Sequence, residues 1–506
     1  MKIKASSADL YADYVSRMRK IADIKNSSAL LQWDQETYLP PKGAGFRGQQ
    51  IATLAEIAHE LFTSPDLGNL LEELNCRDDL GDAGKRNVEL SLEDFTRQKK
   101  FSPAFVRQLS ECVSRSFHSW IEARKANSFA VFEKDLSILL DLKKQEAALA
   151  GYSAHPYDAL LDEFEKGSTV EKLDKVFAQV RDPLKELLDR ILAQGPIDDS
   201  FLHKWYPRAK QWELGLELIR DLGFDFEAGR QDLSEHPFTT SFNRDDVRIT
   251  TRIDEYNLAN MTWSCIHETG HALYEQGLPA EYYGLPLGEY ASLSIHESQS
   301  RLWENNVGRS RSFWKYRFAL LQQHFPDPLG KSTPEDFYRA INKVQPSLIR
   351  TESDELSYHF HVLIRYELEK GLIGGTISVR DIPAFWEESY IKYLSAKPLD
   401  DRTGCLQDVH WSHGSFGYFP TYSLGSFYAA QFFATASTGI LASELEAGNT
   451  RGLLDWLRNH IHSYGRRFTG EELCRKATGE SLNTRYFLDY ALAKYENIYK
   501  LQGNAS

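Results

Sequence analysis

Two histidines and a glutamate fall at His267-Glu268-Thr269-Gly270-His271, an H-E-x-x-H pattern inside an apolar run over residues 261–274. On a helix, residues four apart lie above one another on the same face. Two imidazoles at that spacing can bind one zinc ion without bending the backbone. Glu268, beside the first of them, can lean over the metal as a base toward its bound water. Such a water ionises near neutral pH, so the pattern encodes a nucleophile for amide hydrolysis. A short pattern also arises by chance, and buried histidines without metal are common, so the setting has to decide. Residues 254–272 are helix-compatible, and Gly277 and Pro279 follow as stop signals. Gly270 inside the helix costs about 1 kcal/mol relative to alanine, a cost that a generic surface helix has no reason to carry.

Two histidines leave a catalytic zinc one protein ligand short. A metzincin would supply a histidine six residues after the second, but that position is Gly277. A carboxylate on a following helix is the other common source. Residues 288–303 offer Glu289, His296 and Glu297. Adjacent helical residues point about 100° apart, so His296 and Glu297 should not both face one ion. Spacing alone leaves the three open.

The elements that must position these residues are mostly helical. Residues 54–62, 136–150, 170–181, 313–325 and 360–372 carry helical periodicity, and 184–192 continue the third of these after a break or kink at Pro183. Pro40-Pro41 and Gly43 interrupt the N-terminal part. The best strand is 246–253, just before the H-E-x-x-H helix, where a ribbon could edge a substrate groove and pair with an extended peptide. The fold class is therefore mainly α: a large helical body with a small β-ribbon beside the motif helix. The 506 residues exceed the usual single-core size, yet no linker or repeat divides them. They read as one catalytic domain over 1–506, two-lobed at most, with a weak internal boundary near Gly195-Pro196.

The net charge of −13 argues against nucleic acid or an anionic membrane as partner. Cys76, Cys112, Cys265, Cys405 and Cys474 are scattered and form no C-x-x-C pair, as expected of reduced thiols. The N-terminal ten residues lack the apolar core of a signal peptide, and no stretch approaches the ~20 apolar residues of a membrane span. The expected location is the cytoplasm.

Six motifs then occur in order: His236-Pro237-Phe238, Asp246-Val-Arg248-Ile-Thr250, the H-E-T-G-H pattern, His296-Glu297-Ser298-Gln299, Ile349-Arg350-Thr-Glu-Ser-Asp354 and Gly404-Cys-Leu-Gln407-Asp408-Val-His410-Trp411. With Trp33-Asp-Gln-Glu-Thr-Tyr-Leu-Pro-Pro41 and Tyr157-Asp-Ala-Leu-Leu161, the chain from about residue 30 onward resembles the carboxypeptidase Taq family of zinc metallocarboxypeptidases. One departure is Ser353, where the family usually has alanine. The resemblance implies Glu297 as third zinc ligand, a helical fold with a deep active-site groove, a homodimer, and release of single C-terminal residues with broad tolerance.

Hydrolysis at zinc also needs an oxyanion donor and, for a carboxypeptidase, a reader of the free α-carboxylate. Residues 408–422 are dense in donors, and His410 and Tyr422 are the favoured transition-state donors, with Tyr418 toward the substrate. Pro420 argues against a regular helix through both tyrosines. A planar guanidinium reads a carboxylate bidentately. Arg350 is the first choice and Arg248 the second, against ion pairs with Glu352, Asp354 or Asp246. Asp408, Asp246 and Glu352 are candidate acceptors behind a ligand histidine. The expected activity is a zinc-dependent carboxypeptidase acting on peptides with a free C-terminus, Glu268 assisting attack of a zinc-bound water. Cobalt or manganese would also suit a His/carboxylate set. The rivals are an oligoendopeptidase with the same helix and a non-catalytic peptide-binding protein. An aminopeptidase and a closed structural zinc site fit less well.

Overall fold

The computed structural model describes residues 6–501; the first five residues of the N-terminal segment lie outside them. Helices dominate, with one three-stranded sheet. The chain opens on Ser7–Thr37, started by a capping box in which Ser6 Oγ accepts the Asp9 N–H. A single 3-10 turn, Pro41–Gly43, separates it from Ala44–Phe62, where the proline pair interrupts the backbone pattern. Of the break or kink expected at Pro183, the break is absent: Val170–Leu192 runs through it as one helix. Its buried residues Leu173, Phe177, Val180, Leu184, Leu187, Leu188 and Ile191 form one apolar stripe across the proline. The carbonyl deprived of its partner belongs to exposed Gln179, where water can serve it. Among the described residues no helix is long and apolar enough to cross a membrane.

The chain divides into two interleaved compact units. One holds the described residues up to Lys99, Asp199–Tyr338 and Phe432–Ser481; the other holds Lys100–Asp198, Arg339–Gln431 and the described residues from Leu482. One crossing falls at Asp198, close to the Gly195-Pro196 break.

In the first unit, β1 (Gly229–Leu233), β2 (Thr239–Asn243) and β3 (Asp246–Thr251) form a sheet in the order β1-β3-β2. β3 pairs parallel with β1 and antiparallel with β2. The strand expected to edge a groove is thus the central one. Both of its backbone edges are satisfied, so it cannot itself take an extended peptide as a new partner. Val247, Ile249 and Thr251 of β3 are buried, and the strand packs on the motif helix, Leu258–Glu275. That helix buries Met261, Cys265, Ile266, Ala272 and Leu273. Its neighbour Arg208–Leu222 comes close at Gly215, where an added Cβ would meet Cys265 Sγ and Met261 Sδ at 3.1 Å.

Past the end of the motif helix, Gly277 is more than a stop signal. A Cβ there would sit 2.3 Å from His462 Nδ1. His462 is fully buried, lies 5.0 Å from the Tyr274 ring and donates from Nε2 to Gln299 Oε1 at 3.0 Å.

Burial, with Arg458 and His296 adding, pushes the His462 pKa down to about 3. The unfolded chain takes up this proton near pH 6.5 and the folded chain does not, so stability falls as pH drops below 6.5 toward 3. The loss from this group is about 1.4 kcal/mol per pH unit. His462→Gln should lose less stability between pH 7 and pH 5 than the wild type when urea midpoints are compared. Equal losses would show that this histidine is not a source of acid lability.

Candidate metal centre

The motif helix starts at Asn257, whose side chain caps the Asn260 N–H, and it carries His267 and His271 on one face. Their Nε2 atoms lie 4.0 and 3.5 Å from Glu297 Oε2. Glu297 comes from a second helix, Leu293–Arg301, capped by Ser292. The ligand atoms of His267, His271 and Glu297 all lie within 4.8 Å of one another. Two imidazoles and a carboxylate converging in this way are a donor set suited to a divalent ion with an open position.

The two helices touch at Gly270. An added Cβ would lie 2.6 Å from Ser300 Cα and 2.7 Å from the Gln299 carbonyl oxygen. This is the reason for a glycine in the middle of the motif. The neighbours His296 and Glu297 diverge as helix geometry demands: Glu297 meets the Nε2 edges, while His296 Nδ1 lies 2.6 Å from His271 Nδ1, behind the ring. Glu289 is elsewhere, 3.3 Å from Arg466.

Surrounding charges hold the three donors in place. Arg301 Nε donates to Glu297 Oε1 at 2.7 Å, which leaves Oε2 turned toward the histidines. His267 Nδ1 donates to Glu304 Oε2 at 2.9 Å. Glu304 also accepts from Arg301 and Arg309, each at 3.2 Å. Burial would raise the Glu304 pKa, but Arg301, His267 and Arg309 outweigh it and hold the carboxyl well below the usual range. Burial, reinforced by His296, His267 and Arg301, holds His271 far below the ordinary imidazole value. Asp408, Asp246 and Glu352 do not back either histidine. Glu304 does so for His267, from the π-helix Leu302–Gly308 that continues Leu293–Arg301.

Glu268 is buried, and the Thr239 hydroxyl on β2 donates to its Oε2 at 2.5 Å. Burial raises its pKa against the opposing pull of His267 and Thr239. Arg248 on β3 is occupied: Asp246 accepts from its Nε and NH2 at 2.9 and 3.0 Å, and its guanidinium lies 4.4 Å from the Trp33 ring centroid.

The second unit gathers the remaining residues. Arg350 pairs with Asp408 rather than with Glu352, Asp354 or Asp246. Asp408 Oδ1 accepts from Arg350 Nε at 3.0 Å and Oδ2 from Arg365 Nε at 2.7 Å. Arg350 NH1 donates to Tyr358 at 3.1 Å, and its guanidinium lies 4.8 Å from the Tyr422 ring. Pro420 opens the helix Pro420–Ala436, so Tyr422 is helical and Tyr418 precedes it. The Tyr422 hydroxyl is 3.1 Å from His410 Nε2, and the Tyr418 ring centroid is 5.4 Å from that of His410. Burial, with Arg350 and Arg365 working against Asp408, drives the His410 pKa down to about 3, so its imidazole is neutral at physiological pH. Buried Glu369 anchors the same segment by accepting from Trp411 Nε1 at 2.7 Å and Gly417 N at 2.8 Å.

Sequence reasoning did not find Thr239, Arg301 or Glu304. The one available signal was a run of alternating charge, Arg301 to Arg309, directly after the candidate third ligand.

A family model described as carboxypeptidase Taq (M32) metallopeptidase matches residues 13–495. The chain is 38% identical over 493 residues to Carboxypeptidase 1 of Bacillus subtilis (strain 168), covering 97% of this chain and 98% of that one. It is 41% identical over 505 residues to Thermostable carboxypeptidase 1 of Thermus thermophilus, covering 97% and 99%. A crystal structure of an M32 carboxypeptidase from Deinococcus radiodurans R1 superposes with a TM-score of 0.95 at 39% identity, over 97% and 100% of the two chains.

Gly270→Ala would gain helix propensity but force the backbone of Leu293–Arg301 away. Overpacking of this kind costs about 1–3 kcal/mol. We expect a lower melting temperature and weaker divalent-metal binding, read by chelator competition. Unchanged metal affinity would show that this contact does not set the position of Glu297.

Proposed function

The chain belongs to the carboxypeptidase Taq family of metallopeptidases, and from that premise we propose that it is a zinc-dependent carboxypeptidase that removes single C-terminal residues from peptides with broad side-chain tolerance. The observation that carries the reading is the convergence of His267, His271 and Glu297 beside buried Glu268. These three would hold the ion, which when bound supplies Lewis acidity that promotes ionisation of water and polarises a carbonyl.

The protein's own groups supply the rest. Thr239 fixes one oxygen of the Glu268 carboxylate, which orients the other to take a proton. Its raised pKa makes Glu268 a stronger base than an exposed carboxylate. It would accept the proton of the attacking water and pass it to the nitrogen of the leaving amino acid. Neutral His410 and Tyr422, hydrogen-bonded to each other, are assigned as donors to the developing oxyanion. Arg350, its orientation fixed by Asp408 and Tyr358, is assigned to the substrate α-carboxylate, with Tyr418 beside the substrate. Arg248 is the weaker candidate for that role, since Asp246 already occupies two of its donors. Cobalt is a plausible substitute for zinc in a His2Glu set. Family membership supports a homodimer, which light scattering would report. Five free cysteines support a reducing compartment such as the cytoplasm.

Mass spectrometry of a short peptide and its C-terminally amidated twin tests the reading. Zinc-loaded protein should shorten only the free acid, one residue at a time, and Glu268→Gln should cut the rate by about 10²–10⁴. Internal cleavage of both peptides would make it an oligoendopeptidase. No cleavage of either would leave a peptide-binding protein. Arg350→Lys should lower kcat/KM on the free acid about 10- to 100-fold, the worth of about 1.5–3 kcal/mol for a hydrogen bond to a charged group. An unchanged kcat/KM would remove Arg350 from carboxylate recognition.

A further inference from the structure

A metal-binding imidazole must present a bare nitrogen, and here both histidines turn Nε2 inward. The proton must then sit on Nδ1, and something has to keep it there. For His267 the keeper is a carboxylate, Glu304. For His271 it is another imidazole, 2.6 Å away at His296 Nδ1. A neutral imidazole can donate or accept at that nitrogen, so the contact alone does not fix the direction. The far side of His296 does: its Nε2 lies 2.8 Å from Glu275 Oε1. An ionised carboxylate only accepts.

We infer that Glu275 and His296 are positioning residues that set the tautomer of His271 through a two-step hydrogen-bond relay. Glu275 draws the His296 proton to Nε2. That leaves His296 Nδ1 as a lone pair, which accepts the His271 Nδ1–H. His271 Nε2 is thereby left bare toward Glu297. An N···N separation of 2.6 Å holds one proton, not two, so with Glu275 ionised no other arrangement of two neutral imidazoles satisfies both contacts. The placement of Glu275 points the same way. It is the last residue of the motif helix, where the helix dipole disfavours a carboxylate, and its side chain is largely buried. The two histidines are thus supported unequally, one by a charge and one by a neutral ring that borrows its direction from a charge. The inference rests on reading His267, His271 and Glu297 as metal ligands.

The test is zinc affinity of the stripped full-length protein, measured by competition with a chromophoric chelator, together with the visible spectrum of the cobalt-loaded form. His296→Leu should weaken zinc binding about 10- to 100-fold and shift the cobalt bands. His296→Gln, whose amide oxygen can accept the His271 proton, should recover part of the loss. Glu275→Gln should stay close to wild type, because the amide oxygen still accepts, whereas Glu275→Leu should not. The double variant, His296→Leu with Glu275→Leu, should be no weaker than His296→Leu alone. Additive losses, or wild-type affinity in a folded His296→Leu protein, would overturn the relay and leave the metal reading standing. Failure of the wild-type protein to bind zinc would remove the metal reading and the relay with it.

Discussion

At Gly270 two helix backbones pass so closely that one methyl group would touch Ser300 Cα and the Gln299 carbonyl oxygen. That approach lets a carboxylate as short as Glu297 reach the histidines of the neighbouring helix. It also seats His296 against the back of His271 and aligns His462 with Gln299. The sheet depends on the same arrangement. With β3 packed on the motif helix, β2 is positioned so that Thr239 meets Glu268.

The second constraint is electrostatic. Glu268, Glu297 and Glu304 are buried together, and such groups persist as charges only when paired. Arg301 bridges two of them and Arg309 completes the coordination of Glu304. Glu268 has no arginine in this network, and its carboxyl is the one whose pKa rises. The cluster therefore separates Glu304, held firmly ionised, from Glu268, poised to exchange a proton. In the other unit Asp408, gripped by two guanidiniums, is held equally firmly ionised, while Glu369, hydrogen-bonded but less well compensated, is raised to about 7 by burial.

What was legible in the sequence follows how local each feature is. The motif helix, its stop and the two histidines lie within a few turns, so periodicity and spacing reveal them. Glu297 belongs to a separate helix, and residue spacing could not choose it over Glu289 or His296. The choice came from family resemblance. β3 was readable as a strand, but its central place was not, because pairing with β1 and β2 is decided by chain segments on either side of a hairpin. Glu304 stands seven residues after Glu297, on the same face of a helix, but nothing in the spacing shows that His267 of the neighbouring helix faces it. Arg350 was the first choice for the substrate carboxylate, with Glu352, Asp354 and Asp246 as rival partners; the carboxylate it meets is Asp408, more than fifty residues on. Pro183 misled in the opposite direction. A local rule predicted a break or kink, and the apolar stripe on both sides of the proline kept the helix unbroken.

The interleaving of the two units bears on how this protein can be made. Three separate stretches build the unit that holds the histidines, and the last of them, Phe432–Ser481, contributes His462 at the C-terminal end of the motif helix. During synthesis the N-terminal helices must therefore wait for most of the chain to leave the ribosome before their unit can close. Their own cluster of Tyr14, Met18, Ile21, Leu71, Leu74 and Phe95 can form early, but Leu285 and the rest of the unit come later, an interval in which chaperone capture and aggregation compete with folding. Neither unit can be cut out as a continuous fragment. A chain stalled or clipped before Phe432 would carry every residue of the H-E-x-x-H pattern and still lack the imidazole that packs on Tyr274 and Gly277 at the end of that helix.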